Sequence, residues 1–309
     1  MTAPTIDLTH LHVHHGKLEA VRGLDLHVSA GRVLGLLGPN GAGKTTTLQA
    51  LAGIIPAQRA EGTVLGVPLG KMKSSHYARL GYVSEGQQIP LHWTVPRLLG
   101  YLRPLYPTWD EAYCQRLLTA YDLPMNRPLS AFSRGQVMKA KLIGSLAYRP
   151  ELLLLDEPFS GLDAVVREDF IDGLLQLMTG GDWTVVITSH ELDEMERLCD
   201  DVCLLANGQA VLSESLANAQ ARFRRWEITL SPGTSPPTHP LPDTWLQFRQ
   251  QDRQLRFIDS QHDAATSLDK IHHHFGPTTA AESHSLSLRE IYVALVRTNR
   301  TPTELDDPQ

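Results

Sequence analysis

Cysteine is scarce in this sequence, and its spacing excludes two classes of cross-linked protein. Three cysteines, Cys114, Cys199 and Cys203, occur among 309 residues. An odd number without the paired spacing of a disulfide framework or a zinc site indicates reduced thiols. Cys199 and Cys203 have helical spacing, but residues 201–205 have the apolar character of a strand. We therefore expect the thiols to serve in packing.

Long hydrophobic runs are missing as well. The apolar stretches are short, such as residues 152–155, and none approaches the roughly 20 residues that a membrane-spanning helix needs. Residues 1–7 carry neither the basic segment nor the apolar segment of a secretory signal peptide. We expect a chain that has no membrane span and stays in the cytoplasm.

The chain also has no excess of positive charge. It carries 28 Lys and Arg against 34 Asp and Glu, a formal net charge of −6. An acidic total argues against general affinity for nucleic acid, so no nucleic-acid partner is expected. Hydrophobic residues make up 42% and charged residues 20%, which excludes wholesale disorder and allows a sizeable core in one large domain or two smaller ones.

The pattern of the chain changes near residue 222. Residues 1–222 alternate apolar strand-like runs, glycine turns and helical patterns, which is typical of an α/β domain. Residues 223–309 contain two alternating runs that predict a hairpin, at 245–249 and 255–259. Ser287 and Glu290 have capping-box spacing before an apolar helical pattern. A small α+β domain is therefore expected at the C-terminal end.

A glycine-rich phosphate-binding loop is the strongest chemical signal. It follows an apolar strand and comprises Gly38, Pro39, Asn40, Gly41, Ala42, Gly43, Lys44 and Thr45, with Thr46 next in the helix. Glycines let backbone N–H groups turn toward phosphate oxygens, and the following helix presents its positive end. Lys44 would neutralise the β- and γ-phosphates, and the Thr45 hydroxyl can ligate Mg²⁺. The pattern predicts a site for ATP or GTP.

Two adjacent carboxylates, Asp156 and Glu157, end a second apolar run at residues 152–155. A buried parallel strand places its carboxyl end at the ligand side of the sheet. Asp156 would hold Mg²⁺, and Glu157 is suited to accept a proton from the water that attacks the γ-phosphate.

Residues 132–136, Phe-Ser-Arg-Gly-Gln, resemble the LSGGQ signature of the ATP-binding-cassette (ABC) family. The resemblance covers about the first 220 residues. It implies a P-loop ATPase cassette with a mixed sheet core and a helical subdomain at about 86–145. It also implies that the signature residues Ser133, Arg134, Gly135 and Gln136 contact a nucleotide held by a second copy, so that two nucleotides are sandwiched in a homodimer. Phe132 and Arg134 depart from the consensus. By itself the segment could be an ordinary helix cap, and both interpretations can hold together.

Two further segments extend the resemblance in the family's order. One matches the D-loop and comprises Ser160, Gly161, Leu162 and Asp163. The other is His190, which follows an apolar strand as the family's switch histidine does. The resemblance implies that His190 contacts the γ-phosphate and helps to position Glu157 and the attacking water.

Two family positions are altered. Glu85 stands where the family usually has a glutamine that reaches Mg²⁺, and its carboxylate is an equally suitable ligand for the ion. Gln87 or Gln88 is the alternative if the loop is shifted. His15 falls near the position of the aromatic residue that usually stacks on adenine, and the alternative is a solvent-facing histidine. Further histidines cluster at residues 10–15 and 272–274, but adjacent side chains diverge, and no metal site is assigned there.

The region expected to grip a membrane partner contains Trp93, Tyr101, Tyr106 and Trp109. As a group these aromatic residues suit the docking of a helix from another chain, whereas for any single one of them a core position is favoured. The resemblance implies an ATP-hydrolysing subunit with ATP and Mg²⁺ that energises a separate transmembrane permease, for export, on the cytoplasmic face of the plasma (inner) membrane. The alternative is a soluble ABC ATPase that remodels protein, ribosome or DNA without transport. The C-terminal domain would extend the dimer interface or bind a regulatory ligand.

Overall fold

The computed structural model describes residues 4–178, 183–233 and 240–298. The chain divides into two compact units, Met1–Ser213 and Glu214–Gln309. This division lies nine residues before the boundary expected at residue 222. The reason is local, because Arg222 donates hydrogen bonds to Glu214 and to the carbonyl of Ser260. The short helix between residues 214 and 222 therefore packs with the second unit.

The first unit contains a sheet rich in parallel strands. Its strands are β3 (Val33–Leu37), β5 (Leu80–Ser84), β6 (Leu152–Asp156), β7 (Thr184–Ser189), β8 (Asp201–Ala206) and β9 (Gln209–Ser215), in the order β5-β6-β7-β3-β8-β9. The pairs β5–β6, β6–β7, β7–β3 and β3–β8 are parallel. Strands β3, β6 and β7 are buried along their whole length, which explains their continuous apolar runs. Their carboxyl ends meet at one edge of the sheet.

A separate antiparallel sheet packs in the same unit. It has the order β2-β1-β4 and is built from β1 (Pro4–His15), β2 (Leu18–Ser29) and β4 (Arg59–Val64). Alternate residues of β1 and β2, such as Leu8 and Leu26, are buried with Leu48 of helix α1 (Lys44–Leu51) and Leu154 of β6. One hydrophobic core therefore joins both sheets to α1, and it fixes the start of that helix beside the strand ends.

Helices occupy the stretch for which the family resemblance implies a helical subdomain. They are α3 (Val95–Leu102), α4 (Glu111–Tyr121) and α5 (Arg134–Leu146), with short 3₁₀ turns at Arg103–Leu105 and Leu129–Ala131. The remaining helices of the unit are α2 (Ser74–Tyr77), α6 (Ala164–Met178) and α7 (Leu192–Leu198). Among the described residues, no helix combines the length and the apolar character needed to cross a membrane.

The four aromatic residues of the helical region are not core residues. Tyr101 is 58% exposed and its ring contacts that of Trp93, while Tyr106 stacks on Tyr148. Trp93, Tyr106 and Trp109 are partly buried. The core position favoured for any single one of them is therefore wrong, because none of the four rings is fully buried.

The second unit has its own antiparallel sheet, in the order β11-β12-β10-β13. Its elements are α8 (Leu216–Arg222), β10 (Arg224–Leu230), β11 (Trp245–Gln251), β12 (Gln254–Asp259), α9 (Ser267–Phe275), β13 (Thr278–Ser285) and α10 (Leu288–Thr298). β11 and β12 form the expected hairpin. Trp226, Leu255, Phe257, Ile271 and Phe275 lie in one hydrophobic cluster between this sheet and α9. The expected capping box is also present, because the N–H of Glu290 donates to Ser287 and the Glu290 carboxylate accepts from the N–H of Ser287.

Candidate nucleotide-binding site

The phosphate-binding loop connects β3 to α1, and two of its glycines are required by close backbone contacts. A Cβ atom on Gly38 would lie 2.4 Å from the carbonyl oxygen of Leu205, and one on Gly43 would lie 2.5 Å from that of Ala20. Gly43 also has a φ of 101°, in the region that favours glycine. Helix α1 starts without a side-chain cap, so its first N–H groups are available to an anion.

Lys44 lies at the first position of α1 and is 6% exposed. Its ammonium donates to the carbonyl oxygens of Gly38, at 2.9 Å, and Pro39, at 3.3 Å. These bonds hold the positive charge inside the curl of the loop, where phosphate oxygens would have to lie to meet the N–H groups.

Asp156 is fixed by hydroxyl groups from two strands and the start of a helix. The Thr45 and Thr188 hydroxyls each donate to its Oδ1 at 2.9 Å, and the Tyr82 hydroxyl donates to Oδ2 at 3.3 Å. Burial, and then the charge of Asp156, raise the pKa of Tyr82, which keeps the phenol protonated as a donor. Asp156 is 5% exposed, so its orientation is set by these donors.

Glu157 lies between two cationic or protonatable side chains. Its Oε2 is 2.8 Å from Nδ1 of His190, and its Oε1 is 3.4 Å from Nζ of Lys44. The N–H of Glu157 donates to Oγ1 of Thr188 at 2.9 Å. Glu157 has a φ of 50°, a conformation that costs a non-glycine residue about 1–3 kcal/mol, and the surrounding bonds hold it there.

These groups open into a cleft of about 520 Å³. Of the residues expected to bind nucleotide or to catalyse, it is lined by His15, Asn40, Gly41, Gly43, Lys44, Thr45, Thr46, Glu85, Glu157 and His190, with Ser160 of the D-loop. Leu18 and Ala20, which the sequence did not single out, line it too. His15 and the 62% exposed Leu18 lie at the hairpin between β1 and β2, so an aliphatic side chain accompanies the histidine at this wall.

A second cleft of about 500 Å³ adjoins the first. Both share Thr45, Glu85 and Glu157 in their lining, while Gln87, Ile54 and Asp156 line only the second. Gln88 lines neither cleft. The structure therefore puts Glu85 at both openings, and Gln87 beside it with a buried Oε1 that has no hydrogen-bond partner among the described residues.

The residues expected to hold Mg²⁺ offer the donors that this ion prefers. The Thr45 hydroxyl and the carboxylates of Asp156 and Glu85 are hard oxygen ligands on one lining, and the Thr45 and Asp156 oxygens are already 2.9 Å apart. The site thus fits a magnesium–nucleotide complex.

The signature segment starts α5 and is an N-cap. The N–H of Gln136 donates to the Ser133 hydroxyl, and the Gln136 side chain accepts from the N–H of Ser133. Gly135 is buried, and a Cβ there would lie 2.5 Å from Cγ1 of Val166 on α6. The side chain of Arg134 covers Gly161 of the D-loop. The cap interpretation is therefore confirmed, and none of the four signature residues lines the cleft of its own chain.

The D-loop forms a tight turn directly after Glu157. The N–H of Ser160 donates to the carbonyl of Glu157 at 3.2 Å, and Asp163 accepts from the N–H of Val166 at the start of α6. Leu162 is buried, and Gly161 has a φ of 68°. One turn of backbone therefore connects this loop to Glu157.

The parallel sheet carries the phosphate loop after β3, a histidine after the adjacent strand β7, and two carboxylates at the end of β6, which lies on the other side of β7. This arrangement defines a P-loop ATPase cassette. Residues 21–160 match the family model described as ABC transporter. The chain is 31% identical over 237 residues to the uncharacterized ABC transporter ATP-binding protein YhaQ of Bacillus subtilis, covering 73% of this chain and 76% of that protein. The chain belongs to the family of ABC transporter ATP-binding proteins, in which ATP hydrolysis, usually with Mg²⁺, is characteristic.

Two other relatives and a solved structure complete the comparison. An uncharacterized ABC transporter ATP-binding protein of Synechocystis sp. is 34% identical over 224 residues, covering 70% of this chain but only 62% of that relative's length. The Nod factor export ATP-binding protein I of Rhizobium etli is 34% identical over 216 residues, 68% of this chain and 67% of that protein. The structure of an ATP-binding subunit of an ABC transporter superposes with a TM-score of 0.62 at 23% identity, over 70% of this chain and 91% of that one, which shows the shared fold.

Proposed function

We propose that this chain is the ATP-binding and ATP-hydrolysing subunit of an ABC transporter that energises a separate membrane-spanning subunit, in the direction of export. The observation that carries the proposal is the position of Glu157. Its two carboxylate oxygens face Lys44 of the phosphate loop and His190 in one cleft.

The arrangement suggests how hydrolysis would proceed. ATP phosphates entering the loop would attract the Lys44 ammonium, which is paired with Glu157 at 3.4 Å. Oε1 of Glu157 would then be left to accept a proton from the attacking water, while His190 holds Oε2 and keeps the carboxylate aimed into the cleft. Bound Mg²⁺, held by Thr45, Asp156 and Glu85, would neutralise phosphate charge.

We propose further that two copies form a homodimer around two nucleotides. Ser133 accepts a hydrogen bond from the N–H of Gln136, so its own O–H proton is available to a phosphate of the facing copy. Gly135 keeps α5 close to α6, which sets the segment's position. Residues 214–309 form a unit with its own core, and we assign to it an accessory role in this dimer.

The membrane partner and the export direction rest on two supports. Ile54 is 56% exposed beside Gln87 in the second cleft, which offers an apolar contact next to the site. The relatives named Nod factor export ATP-binding protein I favour export. On this proposal the subunit is peripheral on the cytoplasmic face of the inner membrane.

The deciding experiment is an affinity pull-down of tagged Glu157→Gln protein from detergent-solubilised membranes of the source cell with MgATP, read by mass spectrometry. Recovery of a polytopic membrane protein at equal stoichiometry supports the transport proposal, and Lys44→Ala is the matched control that should lose nucleotide-dependent recovery. Recovery of ribosomes or of DNA-associated factors in place of a membrane protein would overturn transport in favour of a soluble remodelling ATPase.

A further inference from the structure

Lys141 is a buried cation in the middle of α5, 8% exposed, that the mechanism above does not use. Its ammonium donates to two consecutive carbonyl oxygens, those of Ser84 at 2.9 Å and Glu85 at 3.0 Å. It forms no ion pair with a carboxylate in the described part of the chain.

A buried ammonium without an ion pair needs a reason. Burial lowers the pKa of Lys141, and the nearby charge of Glu85 opposes that effect. Two carbonyl bonds and one approaching carboxylate therefore compensate for much of the lost hydration. A neutral side chain at this position in α5 would have a lower desolvation cost. The charge is therefore best explained by the two backbone carbonyl groups to which it donates.

Lys141 holds the end of β5, where the chain leaves the sheet. The N–H of Glu85 donates to the carbonyl of Asp156 at 3.3 Å, and the N–H of Gln87 donates to the carbonyl of Ser84, so residues 84–87 form a turn. The Glu85 side chain emerges from this turn into both clefts. Lys141 is the one side chain of α5 that donates to the backbone of this turn among the described residues.

We propose that Lys141 is a positioning residue that fixes the Glu85 turn and so sets the Glu85 carboxylate for the magnesium–nucleotide complex. Helix α5 begins at the signature segment, which on the proposed function contacts the nucleotide of the facing copy. The same helix carries Lys141, so it connects the signature segment to the metal side of this chain's own cleft. The inference rests on the proposed function, since it assigns Glu85 to the metal side of that site.

The first test needs no metal and no activity. Lys141→Met removes the ammonium while keeping an unbranched apolar side chain, and it should speed amide hydrogen exchange at residues 84–88 about tenfold in the nucleotide-free protein. Lys139→Met is the matched control on the same helix, because the Lys139 ammonium lies over the Tyr121 ring and does not reach the turn. Unchanged exchange at residues 84–88 in Lys141→Met overturns the proposal.

The second test is a double-mutant cycle with Glu85→Ala. Mn²⁺ affinity is measured by electron paramagnetic resonance with ADP present, and the Mg²⁺ dependence of ATP hydrolysis is measured in parallel. If Lys141 acts through Glu85, Lys141→Met weakens Mn²⁺ binding about fivefold in the wild-type background and has no further effect beside Glu85→Ala. Lys141→Arg, which retains a donor to both carbonyls, should recover part of the loss.

Two outcomes separate the levels of the proposal. If Lys141→Met weakens Mn²⁺ binding equally in both backgrounds, Lys141 is a purely structural anchor and the positioning role is overturned. The proposed function would not be affected by that result, because the wild type would still hydrolyse ATP. Absence of Mg²⁺-dependent ATP hydrolysis in the wild type, alone and with its membrane partner, would instead overturn the proposed function.

Discussion

His190 and Glu157 are joined by a 2.8 Å contact between Nδ1 and Oε2, although 33 residues separate them in the chain. The neighbouring strands β6 and β7 bring the two side chains together, because each follows the end of its strand. Lys44 approaches the other oxygen of the same carboxylate. On the proposed function, a carboxylate that is held on one oxygen and released on the other is suited to activating a water molecule once phosphates occupy the loop.

Replacing the base should separate binding from hydrolysis. Glu157→Gln keeps the shape and the contact to His190 but loses the proton acceptor, so we expect ATP hydrolysis to fall by about 10²–10⁴-fold while ATP binding is retained. Gel filtration with MgATP should then show a stable dimer. Hydrolysis at the wild-type rate would show that the base is another residue.

Thr188 supports both carboxylates through one hydroxyl, which donates to Asp156 and accepts from the N–H of Glu157. Thr188→Val preserves volume and leaves that N–H without its acceptor, so the free energy of unfolding should fall by about 1–3 kcal/mol. The kcat for ATP should fall while the KM changes little. Thr184→Val on the same strand, where the hydroxyl pairs with Thr5, is the control that lowers stability alone. Equal kcat losses in the two variants would contradict this role.

Gly43 should tolerate no side chain. Gly43→Ala places a Cβ 2.5 Å from the Ala20 carbonyl at a φ of 101°, so either the loop or β2 must shift. We expect binding of a fluorescent ATP analogue to weaken at least about tenfold, because the shift moves N–H groups away from the phosphates. Gly41→Ala, where nothing lies within 4 Å of the added atom, is the comparison. A smaller loss in Gly43→Ala than in Gly41→Ala would refute the steric argument.

The thiols should resist modification in the folded protein. Burial raises the pKa of Cys114 to about 11 and that of Cys203 to about 12, and it raises the pKa of Cys199 as well. Raised values mean that at pH 8 the native thiols carry less thiolate than the same residues in the unfolded chain. Maleimide labelling at pH 8 should therefore be slow in buffer, and should reach all three cysteines in guanidinium. Rapid labelling of any one in the native state would contradict its burial.

Local patterns predicted those parts of the site that one continuous segment builds. The phosphate loop, the carboxylates after β6 and the Ser133 cap each depend on a few adjacent residues, so their spacing is sufficient. The hairpin of β11 and β12 was predictable for the same reason. The domain boundary was less predictable. Helix α8 joins the second unit because Arg222, at its end, donates hydrogen bonds both to Glu214, which precedes it in the sequence, and to Ser260, which follows it.

Other parts of the site depend on neighbours that are distant in the chain. Thr188 could have been suspected, since it precedes His190 by two residues, but its two hydrogen bonds require β6 and β7 to be adjacent. Lys141 gave no signal, because a lysine in an amphipathic helix is usually solvated. The position of Glu85 at two clefts, with Gln87 beside it, likewise follows from the turn after β5.

The sequence by itself determined the class of this protein, because backbone-controlled phosphate binding demands glycines, a lysine and a hydroxyl at fixed spacing within one strand-loop-helix unit. The tertiary structure decided which side chains meet. Parallel strands bring together residues whose separation in the chain is set by the lengths of the intervening helices, and no short-range pattern records those lengths. For this reason Glu157 could be proposed as the catalytic base from the sequence alone, whereas the contacts that hold it and the lysine that anchors the neighbouring turn were found only in the folded chain.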